Sequence, residues 1–320
     1  KAHNIGYFFY NGGGDSQDTA YKISQMSQQL NYPLSCIGIP KTIDNDLPFT
    51  DNCPGFGSTA KYIATSIAEA SMDVAGMAAS STKVFIMEVM GRHAGWIAAA
   101  GGLAQNQPDG APQVILFPEI RFNKDDFIKK VLQSVKHAGF CSIVVSEGVK
   151  DQNGNFLSDS GSLDAFGHHQ LGGVAPFIQT ILKNECDLKC HWAVTDYLQR
   201  SARHLASRTD FEQAKALGAA AVDHALRGEN NVMLTINRLS SEPYTWNIGT
   251  APLKDVANVE KTMPENFISE DGFGITQACR DYMLPLIQGE AYPPFKNGLP
   301  LYPTLKKELA VKKCVNAAFV

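Results

Sequence analysis

Short apolar runs alternate along the chain with stretches whose apolar residues recur every three or four positions. Ile5–Tyr10 is one such run, and it stops at Asn11-Gly12-Gly13-Gly14-Asp15-Ser16. Ala20, Ile23, Met26 and Leu30 then predict one apolar helix face. Leu34–Pro40 reads as a second strand, closed by the polar string Lys41-Thr42-Ile43-Asp44-Asn45-Asp46. A long helix is predicted from Ile63, Ile67, Val74 and Met77, with small alanines between them. Val84–Val89, Gln113–Phe117 and Cys141–Val145 read as buried strands. Between the last two lies an amphipathic helix carrying Phe127, Val131, Leu132 and Val135. Strands alternating with helices predict an α/β, doubly wound, mostly parallel sheet. Ligands of such sheets sit beyond the carboxyl ends of the strands, where this chain places its Gly- and Asp-rich loops.

The second half is less regular. Leu171–Leu182 predicts a helix opened by Gly172-Gly173, and Thr209 with Glu212 has the spacing of a capping box for a helix running to Arg227 and ended by Gly228. The text from Tyr244 to Pro264 is mixed, and prolines at 293, 294, 300 and 303 predict a looser C-terminal extension.

Composition narrows the function classes. With 320 residues, 44% of them hydrophobic, the chain is long enough for two domains or one large one. Lys and Arg total 28 against 32 Asp and Glu. That balance argues against nucleic acid as a partner, though not against a local cationic pocket for a small anion. Charges interrupt every apolar run too soon for a membrane span, as Glu88 and Arg92 do around Val84–Met90. Seven scattered cysteines suit a reduced, cytoplasmic enzyme.

Two loops carry chemistry. Gly12, Gly13 and Gly14 allow a phosphate to approach the backbone, and the helix that follows adds amide donors and a favourable dipole. Asp15 would repel that phosphate unless a Mg²⁺ ion lay between them, so Asp15 is the expected metal ligand. The alternative is a plain strand-to-helix turn with Ser16 as N-cap. In the second loop, phosphoryl transfer to an alcohol needs a carboxylate to take the hydroxyl proton and a cation to spread charge. Asp44, Asp46 and Lys41 supply these. In an extended loop Thr42, Asp44 and Asp46 would share one side; the alternative is an Asx-rich turn. Met90-Gly91-Arg92, Ser146-Glu147-Gly148 and Tyr197-Leu198-Gln199-Arg200 add cationic and hydrogen-bonding groups near strand ends. Guanidinium groups there suit a sugar phosphate.

The strings GGGDS, PKTIDND, EVMGR, SEG and YLQR, in this order, resemble the 6-phosphofructokinase family, and in detail its pyrophosphate-dependent branch. The resemblance runs from residue 5 to roughly residue 240. It implies a phosphofructokinase-like fold of two doubly wound, Rossmann-like lobes. Residues 1–55 and 199–250 would form the remainder of a phosphoryl-donor lobe, 56–198 a sugar-phosphate lobe, and 251–320 an extension. It implies Mg²⁺-dependent, reversible transfer from pyrophosphate to the 1-hydroxyl of fructose 6-phosphate, a step of glycolysis that also runs backwards. Asp44 would be the base, assisted by Lys41 and Asp46. Thr42, Ile43, Met90, Gly91, Arg92, Glu147, Tyr197, Leu198, Gln199 and Arg200 would bind the sugar phosphate. Gly13, Gly14, Asp15, Ser16 and Lys41 would face the donor. Lys83 falls where the family has a basic residue reaching into a neighbouring subunit's site, which implies a homodimer or homotetramer.

ATP-using relatives have Gly in place of Asp15 and of Lys41. A carboxylate at the first position disfavours ATP by charge and volume, and an ammonium at the second supplies charge to the transferring group. Two other readings stand beside this one: an ATP-dependent 6-phosphofructokinase, and a non-catalytic regulatory subunit of such an enzyme. A family member would carry a further βα unit upstream, and the chain without it is expected to expose an apolar sheet edge and to be insoluble or inactive alone.

Overall fold

The computed structural model describes residues 2–107, 110–163 and 169–313. Strand β1 (Tyr7–Gly12) pairs in parallel with β2 (Ser35–Pro40), and helix α1 (Gly14–Gln29) makes the crossover. α2 (Phe56–Met77) then carries the chain into a second sheet. Its elements are β3 (Val84–Val89), α3 (Trp96–Gly101), β4 (Val114–Leu116), α4 (Lys124–Ala138) and β5 (Cys141–Ser146), followed by the antiparallel pair β6 (Asp159–Leu163) and β7 (His169–Leu171), α5 (Val174–Cys186) and β8 (Cys190–Val194). This sheet has the order β4-β5-β3-β8 and is parallel throughout. After the short α6 (Leu198–Ser201), α7 (Arg208–Leu226) returns the chain to the first sheet. There β9 (Val232–Ser241) adds in parallel to β2, and β10 (Tyr244–Pro252) adds antiparallel to β9. The result is two lobes, each a mostly parallel α/β sheet.

Packing departs from the periodicity in instructive ways. The buried face of α1 is Gln17, Ala20, Ser24 and Ser27, whereas Met26 and Leu30 are exposed. Small residues let the helix lie close on the strands, so the inward stripe is the less apolar one. α4 buries Phe127 and Val131 as expected, but Leu132 is exposed. α7 starts two residues earlier than the Thr209–Glu212 spacing suggests: Ser207 is the N-cap and accepts the Asp210 N–H. β1 forms an edge of the first sheet, with Tyr7 and Phe9 exposed and their rings stacked 6.4 Å apart.

The segment after residue 250, expected to be loose, begins as core. Ala251, Leu253 and Val256, the last two on α8 (Leu253–Val256), are buried with Ala20 and Met233 in the first lobe. Met263, Cys279, Met283 and Leu286, from the strand-free stretch around α9 (Gln277–Met283), are buried with Phe56, Trp96 and Ile97 in the second. Further on, from Tyr292 to Val311, the apolar side chains Phe295, Leu299, Leu305 and Leu309 stand exposed.

Candidate active site

The first lobe brings two loops side by side. α1 begins at Gly14 with Gly13 as its N-cap and no side-chain cap, so Ser16 lies inside the first turn and donates its N–H to Gly13 O at 3.1 Å. The leading amides of that turn have no intrahelical acceptor, and Asp15 stands exposed beside them. A Cβ on Gly12 would fall 2.0 Å from Ser16 Oγ, and one on Gly13 would meet Thr42 Cβ at 3.5 Å. The glycine loop and the Lys41–Asp46 loop therefore touch. They are tied together as well: Lys41 N–H donates to Gly12 O, and the buried Gln17 amide donates to Gly12 O at 2.9 Å and to Ile39 O at 3.2 Å. Gly38 leaves room for that amide, since a Cβ there would lie 2.0 Å from Gln17 Oε1.

The second loop is a turn rather than an extended stretch. Thr42 Oγ1 accepts the Asp44 N–H at 3.1 Å and donates to Asp44 Oδ2 at 3.3 Å, and Asn45 adopts φ +55°. Burial raises the pKa of Asp44, opposed by the Thr42 hydrogen bond and by the charges of Arg92, Lys41 and Arg200. The base candidate thus sits among three cations drawn from both lobes. Asp46 is pushed up to about 7, first by burial and then by Asp44, and its Oδ1 is buried without a partner among the described residues. Ile43 packs toward the core of the second lobe.

The second lobe supplies an interlocked pair of loops. Gly91, at φ +127°, turns the chain after β3, and a Cβ there would crowd Ala94 O at 2.8 Å. Ser146 Oγ donates to Gly91 O at 2.5 Å, Glu147 N–H donates to Val89 O, and a Cβ on Gly148 would overlap Arg92 O at 2.0 Å. Arg92 Nε is buried and unpartnered among the described residues, which leaves a guanidinium donor for an anion. Glu147 is pushed up to about 7 by burial, against the Gly91 amide and the Arg92 charge. Arg200 lies over the exposed Tyr197 ring, 4.0 Å from its centroid, and Leu198 is exposed beside it. Gln199 is buried and acts internally, accepting the Met90 N–H at 3.4 Å and donating to Asp196 O.

Some residues lie elsewhere. Lys83 precedes β3, at the end of the sheet opposite these loops, and its Nζ donates to Ala78 O. Glu88 is buried and accepts the Gly173 and Ala175 N–H groups, so it serves the N-terminus of α5. Arg203 turns to Ala291 O and the Phe211 ring.

Other supporting residues escaped the sequence reading. Lys261 donates from Nζ to Thr50 O and Asp51 O, both at 3.0 Å, and from its backbone to Asp46 O at 2.6 Å. Glu119 accepts the Gly95 N–H at 2.8 Å and the Met263 N–H at 3.4 Å. Both are joined to the site by contacts distant in sequence, which no local spacing announces. Together these groups set a part-buried carboxylate next to a glycine loop at a helix N-terminus and within the field of two guanidinium groups. Such a site can take a proton from a hydroxyl while holding anions on both flanks.

The sequence model of the Phosphofructokinase family matches residues 1–225. A protein of Halomonas elongata described as pyrophosphate–fructose 6-phosphate 1-phosphotransferase is 59% identical over 313 residues, which cover 98% of this chain and 75% of that protein. The crystal structure of a pyrophosphate-dependent phosphofructokinase from Nitrosospira multiformis is 59% identical, with a TM-score of 0.87 over 97% of this chain and 75% of that one. The corresponding structure from Marinobacter aquaeolei is 55% identical, with a TM-score of 0.86 over 97% of this chain and 77% of that one.

Proposed function

The chain belongs to the phosphofructokinase family, and on that premise we propose that it moves a phosphoryl group reversibly from pyrophosphate to the 1-hydroxyl of fructose 6-phosphate. The products are fructose 1,6-bisphosphate and phosphate. The observation that carries this reading is the part-buried Asp44, whose carboxylate feels the charges of Arg92, Lys41 and Arg200 beside a glycine loop at a helix N-terminus. Asp44 accepts the hydroxyl proton as the oxygen attacks. Its burial strengthens it as a base, and the neighbouring cations keep it ionised enough to act. Arg92 and Arg200 hold the sugar phosphate, with Glu147, Thr42 and the Met90-Gly91 backbone around the sugar. Lys41 places positive charge on the moving phosphoryl group, while Gly13, Gly14 and Ser16 present the donor loop.

Mg²⁺ fits this donor set as an ion shared with the substrate. Among the described residues no cluster of three or more His, Cys, Asp or Glu could hold a metal alone, and Mg²⁺ commonly combines one or two carboxylates with substrate phosphate oxygens. Asp15 would hold it, with the unpartnered Asp46 Oδ1 as a second candidate oxygen. When bound, the ion neutralises charge on the pyrophosphate oxygens. The exposed Asp15 carboxylate also stands against a bulkier, more highly charged nucleotide donor.

The lobe holding β1, β2 and β9 would bind the donor and the lobe holding β3, β5 and β8 the sugar. Lys83 lies too far along β3 to serve its own chain's loops, which supports a homo-oligomer in which it reaches a neighbour's site. The described cysteines are free thiols, which fits a cytoplasmic setting, and no described helix is long and apolar enough to cross a membrane.

The deciding experiment supplies fructose 6-phosphate and Mg²⁺ with either pyrophosphate or ATP and follows the bisphosphate. Turnover with pyrophosphate alone is expected. Turnover with ATP alone would keep the base but overturn the roles of Asp15 and Lys41, and activity with neither would favour a regulatory subunit.

A further inference from the structure

Asn45 lies between the two loop carboxylates, fully buried, in a left-handed backbone conformation with φ +55°. Its side chain is tied at both ends. Oδ1 accepts the Cys53 N–H at 2.9 Å, and Nδ2 donates to the hydroxyl of Tyr282 at 2.9 Å. Tyr282 belongs to α9, far outside the residues 1–225 matched by the family. Its hydroxyl uses its own proton to donate to Asp51 O at 2.6 Å. One oxygen therefore closes the loop from Asn45 to Asp51.

The ring that carries this oxygen is itself held. It packs at 5.3 Å from Trp96 and 5.6 Å from Phe267, with the Arg238 guanidinium 4.8 Å from its centroid. Arg238 donates to Tyr282 O at 2.8 Å and pairs with Asp51 at 3.1 Å. A left-handed residue flanked by functional side chains transmits any rotation directly to its neighbours, because φ of Asn45 sets the direction of the chain between Asp44 and Asp46. We propose that Tyr282 is a positioning residue for the proton acceptor: through Asn45 it fixes the turn that aims Asp44 at the sugar hydroxyl. The inference rests on the reading of Asp44 as the base.

Tyr244 provides the control. Its hydroxyl accepts from Gln213 at 2.9 Å and lies 3.4 Å from Asp51 and Asn52, in the same polar network, without a bond to residues 44–46. The test compares Tyr282→Phe with Tyr244→Phe in the full-length protein. Tyr282→Phe is expected to lower kcat by about 10- to 100-fold, as small misplacements of reacting groups do, with both KM values changed less than about threefold. Tyr244→Phe is expected to leave kcat within about twofold even if it lowers the melting temperature equally. Amide hydrogen exchange of the 41–53 segment should quicken in Tyr282→Phe and not in Tyr244→Phe. Equal kcat losses in the two variants, or unchanged exchange of that segment in Tyr282→Phe, would overturn the proposal. Absence of turnover in the unmodified protein would instead overturn the assigned reaction, and the exchange comparison would still decide whether Tyr282 holds the loop.

Discussion

The two loops at the carboxyl ends of β1 and β2 touch each other and are built on opposite plans. The glycine loop presents backbone: its helix has no side-chain cap, Asp15 stands exposed, and its shape depends on missing Cβ atoms. The Lys41–Asp46 loop is held by side chains: Thr42 on Asp44, and Asn45 on Cys53 and on Tyr282. The first plan suits a ligand of phosphate oxygens that must enter, be gripped by amides and leave. The second suits a base whose carboxylate must return to one position every cycle. An open loop lets its occupant complete the site, while a riveted one presents a finished geometry.

The contrast can be broken from either side. Asp44→Asn removes the base and leaves the turn, since Thr42 Oγ1 still accepts the backbone N–H. Turnover should fall by about 10³-fold or more while sugar-phosphate binding, measured by calorimetry, persists. Survival of activity would remove Asp44 from its role. Asp15→Gly alters the open loop alone: kcat/KM with pyrophosphate should fall by about 100-fold and ATP turnover should become measurable, with a stability loss of no more than about 1 kcal/mol because the side chain is exposed in the first turn of α1. The third effect is on stability. Asp46 has a folded-state pKa raised from 3.8 to about 7. It therefore contributes stability that is fully present below its unfolded value and lost as pH rises through about 7. Asp46→Asn should remove that slope, making the protein more stable at pH 8 by up to about 4 kcal/mol with little gain at pH 4. Denaturant titrations at the two pH values measure this, and an equal change at both would disconnect Asp46 from the effect.

What the sequence made legible is what local pattern encodes. β3 has the bounds read from its apolar run, and the loops after β1 and β2 fall where apolar runs give way to Gly, Lys and Asp. The misreadings are long-range. α1 turns its Gln17, Ala20, Ser24 and Ser27 stripe inward because the close approach of helix to sheet rewards small size over hydrophobicity. Prolines near the C-terminus suggested slack, yet Cys279, Met283 and Leu286 recur at spacings of four and three and are buried. That period was the available signal. Nothing near Gln17, Tyr282 or Lys261 in the sequence marks them, since their partners lie on other elements and only folding brings them together.

Asp46 and Glu147 carry a consequence of a different kind. Both are pushed up to about 7, so both titrate near neutral pH. An arriving phosphate dianion favours the protonated forms, and an arriving cation favours the ionised ones. Every binding event therefore exchanges hydrogen ions with the solvent, making the solution's acidity a silent co-substrate. Near neutrality the grip on the sugar phosphate and the grip on the metal should then drift in opposite directions as pH changes, without any movement of the fold.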